Sequence, residues 1–187
     1  MGEIKSAWEI AQEKAGRLGK LSPEEREGQR QDQYRLTGKS LAENYLSQYD
    51  IGLFEAELHK HSAQDKELIS EAAINRLIEA IDLRYAQTLD RIGQGILTLD
   101  STTAAKKTLG KIKELFHEYE ESENRERQEI EKAGREMLHQ LRISGSAISR
   151  INISAKEEWQ KKLSQLSQPF EERLKDLKNE LLSSTRV

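Results

Sequence analysis

The stretch INRLIEAIDLRYAQTLDRIGQGILTL, residues 74–99, decides how the chain folds. Its apolar positions Ile74, Ile78, Ile81, Tyr85, Leu89, Ile92, Ile96 and Leu99 follow in steps of three and four, the spacing that holds one stripe of an α-helix against a partner. It is the strongest such seam in the chain and predicts helix. Gly93 and Gly95 lie near its end and are expected to loosen the last turn. Asp100 to Thr103 offer caps for a polar turn.

Composition agrees with a helical reading. Of 187 residues, 35% are hydrophobic and 34% charged. Even with the 11 glycines counted as apolar, the apolar share stays below the ~45–50% of ordinary globular chains, and charge exceeds the usual ~25%. Twenty-three leucines and 15 isoleucines stand beside one valine and seven threonines, which excludes a sheet-rich domain. Leu, Ile, Val and Phe make up 42 of 187 residues, close to the ~20% at which chains stay disordered. They fall largely at helical spacing, an economy suited to thin helical assemblies and not to a globular pocket. The predicted fold is all-α: long amphipathic helices in an elongated bundle of antiparallel hairpins and coiled coils, one domain over 1–187.

Residues 1–20 read as a short amphipathic helix, with Ile4, Trp8, Ala11 and Ala15 at helical spacing, stopped by Gly16 and Gly19 and too short to be stable alone. Residues 22–100 read as a helical hairpin. Its first helix opens with the capping box Ser22-Pro23-Glu24-Glu25 and runs without a second proline to about His61. The seam is Gly38, Ala42, Tyr45, Tyr49, Gly52 and Ala56, whose small members allow close backbone approach. Residues 101–142 read as a long helix with seam Leu109, Ile112, Phe116 and Tyr119, then Glu123 and Glu126, then Ile130, Ala133, Met137 and Leu141. From His117 through Glu136 the chain holds eight glutamates and four basic residues, and no glycine or proline breaks it near Ser122 to Asn124, so this stretch is read as a charged helical arm. Residues 143–154, ISGSAISRINIS, form a Ser/Ile-rich connection. Ser154 and Glu157 make a second capping box for residues 155–184, with seam Trp159, Leu163, Leu166, Phe170, Leu174, Leu177 and Leu181, which Pro169 is expected to kink or divide.

The 30 basic and 33 acidic residues leave a net charge of −3, so no basic field awaits a phosphate backbone and nucleic acid is not an expected partner. The absence of cysteine excludes disulfides and thiolate chemistry. No stretch approaches the ~18 apolar residues of a membrane span, and a cytoplasmic location is expected. Thr37-Gly38-Lys39-Ser40 imitates the end of a phosphate-binding loop, but Gln33 stands where the earlier glycine belongs. Gly93-Gln94-Gly95 lacks its third glycine, Thr98 standing there. Met1, Gly2 and Ser6 fit a myristoylation pattern without a polybasic second anchor, and Asn152-Ile153-Ser154 fits a glycosylation acceptor without a secretion route.

The most interesting chemical pattern is a pair of Glu-x-x-His units, Glu114/His117 and Glu136/His139. In di-iron helical bundles such units lie on facing helices and converge on two metals, because i and i+3 share a helix face. A hairpin centred on residues 126 and 127 would bring the two units level, whereas one continuous helix holds them ~33 Å apart. His59 and His61 point apart on a helix and mark a helix end. No Ser/His/Asp set stands out and no concave scaffold perturbs a carboxylate, so no catalytic or cofactor-binding residue and no cofactor is expected. Glu114, His117, Glu136 and His139 are the metal candidates of the alternative reading.

The opening MGEIKSAWEIA (1–11), its continuation KAGRLGKL (14–21) and the SPEER stretch that follows resemble an uncharacterised family of small bacterial helical proteins. The resemblance covers about the first 25 residues and brings no site residue with it. It implies a bacterial, cytoplasmic protein. The function expected is that of a non-catalytic structural or adaptor protein, associating with itself or with a protein partner through coiled-coil contacts; the alternative is a di-iron-like metal-binding bundle.

Overall fold

The computed structural model describes residues 22–142 and 156–185. The expectations for residues 1–20 and 143–154, and for Ser154 as a cap, lie outside the described residues. The described residues form six α-helices and one 3-10 turn and no strand: α1 (Pro23–Gln48), α2 (Gly52–Leu58), α3 (Ala63–Glu79), the 3-10 turn (Leu83–Thr88), α4 (Leu89–Leu99), α5 (Thr103–Gln140) and α6 (Glu157–Ser184). The all-α expectation therefore holds.

The capping box at Ser22 is formed: its hydroxyl accepts the Glu25 amide at 3.0 Å and the Glu25 carboxylate accepts the Ser22 amide at 2.7 Å. The helix does not reach His61. Tyr49 turns into the left-handed region at φ 55°, and the Asp50 carboxylate then accepts the Gly52 amide at 2.9 Å. A left-handed non-glycine residue costs roughly 1–2 kcal/mol, but the reversal buries Phe54 to 1% exposure with its ring 4.8 Å from that of Tyr45. Burying such a side chain is worth about 1.5–3 kcal/mol, so the reversal wins. Gly52 and Ala56, expected on the seam, are exposed.

Helix α2 runs back along α1 until His61 packs edge-on against Tyr34, 5.5 Å between ring centroids. Helix α3 therefore starts beside the first half of α1 and runs parallel to it, as the ordered contacts Arg30–Asp65, Gly38–Ala72 and Glu43–Arg76 show. This pair departs from the antiparallel hairpin expected of 22–100. At Gly38 the two backbones touch: a Cβ there would lie 2.8 Å from the Ala72 Cβ and closer still to the Ile69 carbonyl.

The seam of residues 74–99 is divided by a reversal. Helix α3 stops at Ala80, Asp82 accepts the Arg84 amide at 2.9 Å, and the 3-10 turn leads into α4. Helix α4 lies antiparallel to α1, since the Tyr49 ring meets the Arg91 guanidinium and the Tyr45 ring lies on Gly95. Ile74, Ile78, Ile81, Leu89, Ile92 and Ile96 are all buried, while Tyr85, at the reversal, is 53% exposed. Gly93 and Gly95 are buried mid-helix and loosen nothing; Gly95 is the seat of Tyr45, whose Cε1 a Cβ would meet at 2.5 Å. The Tyr45 hydroxyl donates to the Arg91 carbonyl at 2.6 Å.

Thr102 caps α5 by accepting the Ala105 amide at 3.2 Å. Helix α5 is antiparallel to α4 through Lys113–Asp90 and to α6 through Lys111–Glu180, Glu118–Arg173 and Glu126–Lys162. Helix α6 also touches α3, where the Lys178 ammonium donates to the Glu79 carbonyl at 3.2 Å. Helices α3, α4, α5 and α6 thus close a four-helix up-down bundle, with α1 laid along α3 and meeting α4 through Tyr45 and Tyr49. Pro169 does not divide α6; it is exposed, and the carbonyl it leaves unbonded, that of Gln165, belongs to another exposed residue.

Candidate functional site

Beyond the bundle, α5 and α6 continue as a two-helix arm. Its base is the contact of Tyr119 with Phe170, whose ring centroids are 5.3 Å apart. Burial pushes the Tyr119 hydroxyl above its ordinary value, and Glu123 adds to this. From there to Gln140, α5 runs ~30 Å at ~1.5 Å per residue. Trp159, Leu163 and Leu166 of α6 face it half-buried, and Ile130 and Gly134 of α5 are buried. Gly134 takes the position expected of Ala133, which is exposed. Glu123 and Glu126 occupy seam positions opposite the leucines, held by Arg127 at 3.0 Å and Lys162 at 3.6 Å respectively. The remaining arm positions are predominantly polar and exposed. The charged arm read from the sequence is present as continuous helix, accompanied by α6 along one face.

That continuity separates the two Glu-x-x-His units. Glu114, His117, Glu136 and His139 are all exposed on one unbroken helix, with 22 residues, or ~33 Å, between corresponding members. His117 pairs with Glu121 at 3.4 Å and is 73% exposed. No group of three or more His, Cys, Asp or Glu side chains converges among the described residues. His59 caps the end of α2 and His61 bonds to Glu57 at 3.1 Å, the helix end expected there. Thr37, Gly38, Lys39 and Ser40 are helical, Gly38 being the α1/α3 crossing and no part of a phosphate loop.

Two polar arrangements were not legible in the sequence. Asp65, buried at the start of α3, accepts the Ser62 hydroxyl at 2.6 Å on one oxygen; the other has no hydrogen-bond partner and lies 3.8 Å from the Arg30 guanidinium. The Ser62 hydroxyl, aided by Arg30 and against the effect of burial, holds this carboxyl below the ordinary range. Lys178 lies between α6 and the 3-10 turn, in a groove of about 510 Å³ floored by Ile81, Leu83 and Leu174. Burial pushes its ammonium down, with Asp82 opposing. Each is explained by the fold it serves: Asp65 ties α1 to α3, and Lys178 caps the carbonyl end of α3.

No helix of the described residues is long and apolar enough to cross a membrane. No protein-family model, no curated protein and no solved structure matches this chain.

Proposed function

We propose that the chain is a non-catalytic helical adaptor that meets a protein partner through the outer faces of its arm, in the cytoplasm of a bacterium. The observation that carries this reading is the arm itself. The main hydrophobic core draws its buried members of α5 from Ala105 to Phe116 and those of α6 from Leu174 and Leu181, with Tyr119 and Phe170 packed against it, so the arm beyond that pair adds nothing to it. A ~30 Å extension without a role in that core serves reach and surface. From His117 to Glu136, α5 carries eight glutamates and four basic residues, and six of those glutamates lie outside the seam positions Glu123 and Glu126, which favours a partner with a basic surface. The arm's apolar stripe is already occupied by its own two helices, so contact through charged outer faces fits better than exchange of a seam.

The test is affinity capture with the full chain and with a shortened one in which a Gly/Ser turn replaces residues 123–166, since the cut ends lie close beside Tyr119 and Phe170. The full chain is expected to retain a partner that cross-links to α5 through Lys132, and the shortened chain to lose it. A partner held equally by both chains overturns the reading. Light scattering on the two chains reports self-association separately.

A further inference from the structure

Lys178 is set into a groove with a hydrocarbon floor. The groove holds about 510 Å³, within the ~300–1,000 Å³ of small-molecule sites. Ile81, Leu83 and Leu174, all buried, form that floor. Capping α3 takes one of the three N–H donors of the ammonium, toward the Glu79 carbonyl at 3.2 Å. Asp82 lines the same groove, but Arg84 holds both of its carboxylate oxygens, at 2.6 and 3.0 Å. Among the described residues no carboxylate pairs with this amine, whereas Lys111 and Lys113 each meet one at 2.6 Å.

We propose that Lys178 is a site of acylation by small acyl thioesters, with the acyl chain laid on Ile81, Leu83 and Leu174. The free amine adds to the thioester carbonyl carbon. A C–N bond forms, the C–S bond breaks with its electron pair leaving on sulfur, and the proton that nitrogen sheds passes to the thiolate or to water, giving an amide and a thiol. Arg84 and Lys175, exposed cations of the same groove, favour the negative charge that develops on the carbonyl oxygen. Burial pushes the ammonium below its ordinary value, with Asp82 and Glu79 opposing, so more of it is free amine than in an exposed lysine. The product fits where the substrate stood. Its amide keeps one N–H for the Glu79 carbonyl, it gives up a charge that burial disfavours, and its chain covers apolar surface that water otherwise wets.

Competitive labelling of the full chain tests this. The folded protein is treated briefly with the acetyl or the butanoyl thioester of a small thiol, then unfolded and completed with the isotopically heavy acyl group, and the light-to-heavy ratio is read for each lysine by mass spectrometry. Lys39, exposed on α1 and outside the groove, is the reference. Lys178 is expected to react severalfold faster than Lys39. Its lead is expected to widen with butanoyl by about two- to fourfold per methylene laid on the floor, and to vanish when the labelling is done in urea. A lead that is absent, that butanoyl does not widen, or that survives unfolding overturns the proposal. No partner enters any of these readouts, so the result is independent of the adaptor reading.

Discussion

Gly28 and Gly38 belong to one helix, ten positions apart, and the same substitution is expected to act on them with opposite sign. A Cβ at Gly28 meets nothing within 4 Å, so Gly28→Ala gains only the helix preference of alanine, about 1 kcal/mol. At Gly38 the added carbon runs into the Ile69 carbonyl and, at 2.8 Å, the Ala72 Cβ. Those are backbone and near-backbone atoms of a packed helix and cannot swing aside, so an overpacking loss of about 1–3 kcal/mol outweighs the same ~1 kcal/mol gain. Urea midpoints of the two variants against the parent check this: Gly28→Ala moves up and Gly38→Ala moves down. The need for small residues at Gly38 and Ala42 was legible in their seam spacing. The need at Gly95 was not, because it arises from a tyrosine 50 positions earlier whose ring lies on it.

The periodicities located helices and misjudged where the chain turns between them. A seam in steps of three and four constrains which face is buried, and that face stays buried when the stripe is folded in two, as Ile74, Ile78 and Ile81 meet Leu89, Ile92 and Ile96 across a hairpin. The reversal there uses Asp82 as a cap, without glycine or proline, and the one at Tyr49 puts the left-handed position on a tyrosine, with Asp50 and Gly52 just after it inside what read as a continuous seam. Pro169, expected to kink or divide the last helix, sits inside one that it does not divide. A proline in a helix interior costs ~3 kcal/mol relative to alanine. Because Pro169 is exposed, Pro169→Ala is expected to raise stability by about 2–3 kcal/mol, and thermal melts or urea titrations of the full chain test it. A loss of stability would mean that the contact of Phe170 with Tyr119 depends on the bend that proline imposes.

At the scale of the whole molecule, the two unforeseen turns change the handing of the pieces: α1 and α3 run parallel because the short α2 returns the chain before α3 begins. Nothing in a single-helix seam encodes that return; it is set by the burial of Phe54 and by the Tyr34, His61 and Asp65 contacts, all pairings between distant positions. The elongation, by contrast, was legible in the thin apolar seams and the charge-dense stretch after Tyr119. Helix α5 alone has 38 residues and so measures ~57 Å. A compact chain of 187 residues has a radius of gyration near 16 Å by the usual size scaling. Small-angle scattering of the monomer is therefore expected to give a radius of gyration clearly above ~16 Å and a maximum dimension of at least ~57 Å. Replacing residues 123–166 by a short turn should bring the maximum dimension down by about the arm's ~30 Å, while the bundle, whose core lies elsewhere, still unfolds in one cooperative step. A full-length monomer with the dimensions of a sphere would require α5 to break near the base of the arm, and with it would go the separation of Glu114 and His117 from Glu136 and His139.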